Sequence, residues 1–480
     1  MSGQAIGQAI GRVTMRLTPV LALDLGTSSV RALACDGSGE PIAGIEARRA
    51  VPPRQDASGA GELDPDAYLA ALCGCLDDLQ AAGSLHSVEK VATSSQWHSV
   101  LALDATGRPA SFALTWLDTR AVAVRAAADP GEFHRRTGSW VHPLYWTTKI
   151  PWLTAEISQP GLTFTGITEY LRERLLGASA ISVSMASGSG MLEVGSANWH
   201  DEALELAGVT LDQLPEVSDT PGRLRPEFAR RWPALAGADW MPATGDGATS
   251  TVGAGCVADT SAGVTVGTSA AIRVVHSVDD APPLDASLWR YRVDGERMLT
   301  GAAVSSGGVL HEWLEGLLGD VDDPSSSPGI ASAGLSVVPM HAGSRPPVVL
   351  PAGSGLVAGL SLATRPSELV AATYEGVALE LLRSLRLLDT SFGSTLSVVL
   401  GGGAVAASPW WRRAFAATFD RDVRYQVNPE VGARGAAMLA LGVVPVPPDT
   451  RLPTVPDEVA AMRHAGARYD EVRTRLVLNR

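Results

Sequence analysis

Asp24-Leu25-Gly26-Thr27-Ser28-Ser29 and Thr265-Val266-Gly267-Thr268-Ser269-Ala270 carry nearly the same turn, about half the chain apart. A glycine followed by threonine and serine lets the backbone approach an anion while N–H groups and hydroxyls point inward. Two such turns point to a phosphate chain clamped between similar halves. An aspartate opens only the first copy, and a carboxylate there repels phosphate unless a cation stands between them. Magnesium, held largely through waters, resolves that conflict at Asp24.

Three further segments carry reactive or recognition groups. Thr244-Gly245-Asp246-Gly247 sets a carboxylate between small residues just before the second phosphate turn. Small flanks allow close approach of a ligand and suit a general base at Asp246, although an Asp-Gly pair alone is also a common turn. Gln96-Trp97-His98-Ser99 and Trp116-Leu117-Asp118-Thr119-Arg120 mix aromatic faces with amide, imidazole, carboxylate and guanidinium groups. That mixture suits a polyhydroxylated ligand, whose C–H faces stack while its hydroxyls need donors and acceptors. Arg120 has two readings, a contact to a substrate carboxylate or a pair with Asp118. Gly401-Gly402-Gly403 follows an apolar run and permits close packing of a flat group or a diphosphate. It is not a dinucleotide fingerprint, because position 406 is Ala, and no Gly-Lys-Ser or Gly-Lys-Thr loop occurs.

The elements that must position these groups follow from apolar patterning. Strands are expected at Leu21–Asp24, Val30–Cys35 and Pro41–Arg48, then a helix with Asp64 as N-cap and Pro65 in its first turn. Its apolar stripe is Leu69, Leu72, Cys73, Leu76 and Leu79, and a strand at Val88–Thr93 follows. Strands, helix, strand in this order is the ribonuclease-H-like or actin-like ATPase unit. The second half repeats it with a hairpin over Gly263–Val275, a strand at Met298–Ala303, a long helix over Pro366–Leu388 with Ser367 as N-cap, and a buried strand at Leu396–Leu400. Residues 320–328, rich in Asp, Ser and Pro, read as a surface loop. The fold class is α/β, two actin-like domains with a cleft between them. The expected division is an N-terminal extension over 1–15, a first domain over 16–254, a second over 255–450 and a tail over 451–480, with the boundary near Val252 to Asp259.

At 480 residues one core is insufficient, so two domains are expected. A formal charge of −13 argues against a nucleic-acid partner while leaving local sites for anionic metabolites. Cys35, Cys73, Cys75 and Cys256 are too few for a disulfide scaffold and read as buried thiols of a reducing compartment. No apolar run is long enough to span a membrane, and the first 15 residues lack a signal pattern, so a cytoplasmic protein without a membrane partner is expected.

With these segments assembled, the chain resembles the FGGY carbohydrate kinases, and within them the gluconokinases, from about Leu21 to Gly442. The resemblance rests on the two phosphate turns, the two aromatic segments and Gly245-Asp246-Gly247. It also covers Thr137-Gly138 with His142-Pro143, Lys149-Ile150-Pro151-Trp152-Leu153, Gly343-Ser344-Arg345-Pro346-Pro347, Gly402-Gly403-Ala404 with Ala407-Ser408-Pro409-Trp410-Trp411, and Arg434-Gly435-Ala436-Ala437. It implies ATP and Mg2+ as co-substrate and cofactor, and a sugar or sugar acid as the other partner. Asp24, Thr27, Ser28 and Arg31 would serve metal and phosphates, and Asp246 would be the base. Gly267, Thr268 and Ser269 would meet the transferred phosphate, and Gly402, Gly403, Ala404 and Ser408 the nucleotide. Gln96, Trp97, His98, Trp116, Asp118 and Arg120 would bind the sugar. A homodimer is compatible with the family. Trp146, Ala155, Ser305-Ser306-Gly307-Gly308 and Ser344 depart from the usual pattern, the first two on the expected substrate side, and Trp146 and Ser305-Ser306 are expected to reshape the pocket toward a pentulose or another polyol. The implied reaction is phosphorylation of a primary hydroxyl, gluconate to 6-phosphogluconate. A pentulose or polyol kinase is the alternative within the family, and a silent actin-like nucleotide binder the alternative outside it.

Overall fold

The computed structural model describes residues 19–85, 88–122, 125–319, 329–331, 334–344, 350 and 352–478. The expected N-terminal extension over 1–15, the loop over 320–328 and Arg345-Pro346-Pro347 lie outside the described residues.

The first sheet contains β1 (Val20–Leu25), β2 (Ser29–Cys35), β3 (Pro41–Ala50), β4 (Lys90–Ser95) and β5 (Asp239–Gly245), in the order β5-β4-β1-β2-β3. β1 runs antiparallel to β2 and parallel to β4, and β4 is parallel to β5. The second sheet contains β6 (Ser261–Val266), β7 (Ala270–Ser277), β8 (Trp289–Arg292), β9 (Arg297–Val304), β10 (Ser397–Gly401) and β11 (Val423–Tyr425). Its order is β8-β9-β7-β6-β10-β11, with β6 antiparallel to β7 and parallel to β10. Apart from the extra edge strand β8, the two sheets share one plan: a central hairpin, an antiparallel third strand on one side and two parallel strands on the other. The repeated turn in the sequence thus marks a repeated sheet, each phosphate turn closing its central hairpin.

Both faces of the central strands are covered, so they read as apolar runs. Helix α1 (Pro65–Ala81) buries Tyr68, Leu72, Cys73, Leu76 and Leu79 against the first sheet, and the Asp64 carboxylate caps it by accepting from the N–H groups of Asp66 and Ala67. Four further helices position the site: α2 (Trp146–Ile157), α3 (Ile167–Leu176), α4 (Asp246–Gly253) and α5 (Val309–Leu318). The long helix α6 (Pro366–Phe392) has its N-cap at Arg365, not Ser367. Proline occupies the first helical position, which moves the cap one residue before it, and Glu368 accepts the Arg365 N–H at 2.8 Å.

Short α7 (Gly403–Ala407) and α8 (Pro409–Phe419) follow β10, and α9 (Val431–Leu441) crosses back to the first sheet. There Ala433, Ala436 and Ala437 pack on Val20, Ala22 and Ala92. Helices α4 and α9 meet backbone to backbone: a Cβ at Gly253 would stand 1.9 Å from the Val431 carbonyl oxygen, and one at Gly435 1.9 Å from that of Thr249. Glycine is required there by contact, and the crossing ties the two domains together. The segment expected as a tail contains α10 (Pro456–Leu478), whose Met462, Ala465 and Tyr469 join the core of the second domain. All four cysteines are free and buried, and burial pushes the Cys35 and Cys256 thiols up to about 12. No described helix is long and apolar enough to cross a membrane.

Candidate active site

The two phosphate turns and Asp246 converge. Thr27 of the first turn, Ser269 of the second and Asp246 at the start of α4 line one cavity of about 230 Å³ with His98, Trp116 and Arg273. The first turn is held from below. Tyr68 donates its hydroxyl to the Gly26 carbonyl at 2.7 Å, Thr27 Oγ1 donates to Gln96 Oε1 at 3.1 Å, and Trp116 Nε1 donates to Thr27 Oγ1 at 2.9 Å. Gln96 is buried beneath the turn and does not line the cavity, so it orients Thr27. Ser28 is exposed at the turn's tip.

Asp24 sits at the end of β1, where Arg31 Nε and Nη2 donate to its Oδ2 at 3.1 and 2.5 Å. Arg31 also reaches Glu430, the residue before α9, at 2.6 Å. Both Arg31 contacts fall on one oxygen of Asp24. A carboxylate oxygen is the hard donor taken by a magnesium ion that keeps several waters, so the Asp24 side chain fits that role.

The glycines around Asp246 serve a different partner from the one their size suggests. A Cβ at Gly245 would lie 1.8 Å from Trp97 Cε2, and one at Gly247 2.7 Å from Trp97 Cζ3. The indole packs against the backbone on both sides of the aspartate, with Trp97 Nε1 donating to the Ser184 carbonyl at 3.0 Å. Trp97 is 5 % exposed, and its ring also packs on Tyr291 at 5.0 Å between centroids. The Asp246 Oδ1 accepts its neighbour's N–H, from Gly247, at 2.7 Å.

His98 adopts φ of 73°, the left-handed region that non-glycine residues rarely occupy. Its ring nitrogen Nδ1 bonds the Gly188 carbonyl at 2.6 Å, and its own carbonyl accepts from Lys149 Nζ at 2.9 Å. Lys149 donates equally to the Thr115 carbonyl at 2.8 Å, so one buried ammonium ties both aromatic segments together. Burial lowers its pKa to about 7, opposed by the charge of Asp118.

Asp118 and Arg120 stand apart from the cavity. Asp118 is buried and accepts from the Gly61 N–H at 3.0 Å and from Arg120 Nη2 at 2.6 Å. Arg120 also contacts Glu62 at 2.5 Å and lies 4.4 Å over the Trp152 ring. Of its two readings, the geometry favours the loop-holding pair. Trp146 and Ala155 are corrected too. Trp146 is a core residue donating to the Ser99 carbonyl at 2.9 Å, Ala155 is exposed on α2, and neither lines the cavity.

Arg273 was missed by sequence reasoning, yet strand alternation reaches it: Ser269, Ala271 and Arg273 line the same cavity at every second position. Its guanidinium lies beside the residue after Asp246, since a Cβ at Gly247 would stand 3.0 Å from Arg273 Nε.

Beyond Ser269 a second cavity of about 460 Å³ opens along Gly267, Thr268, Gly403, Ala404 and Ser408. Its other walls, missed by sequence reasoning, include His311, Glu312 and Tyr374. Tyr374 stacks on Trp411 at 4.0 Å and bonds His311 Nδ1 at 2.9 Å, forming a rigid aromatic wall. Gly403 is open to the cavity, whereas Gly402, at φ 108°, backs onto β6, where a Cβ would meet the Val266 oxygen at 2.4 Å. Ser306-Gly307-Gly308 braces the second turn, the N–H groups of Gly307 and Gly308 donating to the Thr268 and Gly267 carbonyls at 3.0 and 2.6 Å.

Two duplicated α/β domains of the actin-like ATPase fold, with a carboxylate between two phosphate turns, define a phosphotransferase. The comparisons narrow this: the N-terminal domain of the FGGY family of carbohydrate kinases matches residues 19–253 and its C-terminal domain residues 254–442, so the chain belongs to that family. It is 25% identical over 450 residues to a gluconokinase of Bacillus subtilis (strain 168), covering 88% of this chain and 87% of the relative. It is 28% identical over 439 residues to a xylulose kinase of Klebsiella pneumoniae, covering 88% and 89%. The gluconate kinase structure from Lactobacillus acidophilus superposes with a TM-score of 0.85 at 24% identity, over 95% of this chain and 98% of that one. The protein is a sugar kinase that transfers phosphate from ATP to an alcohol group.

Proposed function

We propose that the chain phosphorylates the primary hydroxyl of an open-chain sugar acid, gluconate to 6-phosphogluconate. The observation that carries the substrate class is Arg273, the cationic side chain among the residues lining the Asp246 cavity. A guanidinium is the strongest local partner for a carboxylate entering a protein of net charge −13. The likeness to gluconokinases supports the same reading. Asp246 accepts the proton of the attacking hydroxyl, the new oxygen–phosphorus bond forms, and the bond to the ADP oxygen breaks. Thr268 and Ser269 offer hydroxyls and N–H groups to the equatorial oxygens, Thr27, its hydroxyl held by Gln96 and Trp116, offers its backbone N–H, and His98 and Trp116 orient the sugar. Asp24 would hold magnesium, which supplies neutralisation of phosphate charge. Trp97, Gln96 and Lys149 position these groups. Gly403, Ala404 and Ser408 serve the nucleotide. The need for ATP and four buried free thiols support a cytoplasmic enzyme.

Xylulose is the second reading, favoured by 28% identity to xylulose kinases. Arg273→Met decides between them. Loss of a charged hydrogen bond lowers kcat/KM for gluconate by about 10–100-fold and leaves a neutral pentulose little changed. A wild-type enzyme that prefers xylulose tenfold over gluconate, or a variant that loses both equally, contradicts the sugar-acid assignment.

A further inference from the structure

Behind the substrate cavity, on the other side of the end of β9, lies a third cavity of about 380 Å³ that shares with it only Ala303. Its floor is one face of α6, where Glu380, Arg383, Ser384 and Leu387 follow helical spacing. Arg386 of α6 and Arg473 of α10 complete a lining of three guanidiniums against one carboxylate. That carboxylate is already consumed: Glu380 accepts from the Tyr469 hydroxyl at 2.6 Å and from Arg473 Nε and Nη2 at 2.8 and 2.9 Å. Arg383 shares Asp470 at 2.8 Å, and Arg386 has no ion pair among the described residues. With Arg473 paired to Glu380 and Arg383 to Asp470, Arg386 supplies the uncompensated positive charge of the lining in a chain of net charge −13, and Ser305 and Ser384 add hydroxyls from opposite elements.

We infer that this cavity binds a small organic phosphate and regulates turnover through β9. Guanidiniums and hydroxyls together match a phosphate group, and the volume admits a small metabolite rather than a lone ion. The coupling is short. Ser305 lines the cavity, and Gly307 and Gly308, two and three positions on, donate to the carbonyls of Thr268 and Gly267 in the phosphate turn. A Cβ at Gly307 would stand 2.6 Å from the Ser269 carbonyl carbon, so the two segments are packed backbone to backbone. An anion drawing Ser305 toward Arg386 therefore shifts the turn that meets the transferred phosphate.

The test titrates inorganic pyrophosphate into ADP-saturated full-length enzyme by calorimetry, with the nucleotide site thereby blocked. One saturable site per chain is expected, weakened about tenfold or more in Arg386→Glu, where one guanidinium is lost and a like charge added. Arg230→Glu, an exposed arginine in the first domain, controls for bulk charge and leaves binding unchanged. Pyrophosphate changes turnover of the wild type and leaves Arg386→Glu unaffected, while both have the same basal rate. Absence of saturable binding, or equal binding by Arg386→Glu, overturns the site. Binding without any change in turnover overturns the coupling.

Discussion

Gly245→Ala probes how the base is seated. The added methyl carbon would lie 1.8 Å from Trp97 Cε2, about 1.6 Å short of the 3.4 Å at which ordinary contact begins. Trp97 has little room to yield, because Gly188 and Gly247 also press on its ring, with hypothetical Cβ atoms at 2.2 and 2.7 Å. The backbone at 245 therefore takes up much of the displacement, and Asp246 moves with it. A misplacement of about 1 Å at a reacting group costs about 100-fold in rate. The expected result is a fall in kcat of that order, measured by coupled ADP release, with ADP affinity retained because Trp97 does not line the cavity proposed for the nucleotide. The folded state also loses about 1–3 kcal/mol to overpacking, read by urea unfolding. Combining the change with Trp97→Phe, a smaller ring, recovers part of the rate. Wild-type kcat in Gly245→Ala would refute the idea that the indole fixes the base.

Asp24→Ala shifts the magnesium dependence of turnover to higher concentration, and an unchanged titration curve would make Asp24 a turn residue paired with Arg31. Lys149→Met removes the donor shared by the His98 and Thr115 carbonyls. KM for the sugar rises by about tenfold with ADP affinity unchanged, as loss of about one hydrogen bond's free energy requires. Burial raises the Glu169 carboxyl, near the start of α3, from 4.5 to about 7, and neither of its oxygens has a hydrogen-bond partner among the described residues. Because the folded pKa is the higher, the stability associated with this proton is full below pH 4.5 and is lost as pH rises through 7. Glu169→Gln consequently stabilises the protein at pH 8 relative to wild type, by about 1–3 kcal/mol in urea unfolding, and confers no such gain near pH 4.5.

The duplicated architecture was legible because a phosphate turn leaves a local signature wherever it occurs, and Gly26-Thr27-Ser28 and Gly267-Thr268-Ser269 carry it twice. The glycines beside Asp246, read in the sequence as room for a ligand, answer to Trp97, a contact across 148 positions that composition does not reveal. Asp118 and Arg120 have the right chemistry for sugar recognition, but their geometry turns on Glu62 and Trp152, which tertiary packing brings in. Arg273 is reached by strand alternation from Ser269, two steps beyond the turn whose residues carry the local signature. Tyr68 was hidden inside an amphipathic stripe whose hydroxyl function appears only where α1 meets the first turn. The last helix, α10, carries charged residues along much of its length, and its few core contacts, such as Met462 and Tyr469, are too sparse to announce a packed face.

The central claim is that Asp246, set between the two phosphate turns, takes the proton from the sugar hydroxyl. Asp246→Asn keeps the shape and removes the base, so the measurement is single-turnover phosphoryl transfer alongside ADP binding in the same preparation. A rate at least about 100-fold below wild type is expected, with ADP affinity unchanged. Near-normal transfer by Asp246→Asn would contradict it.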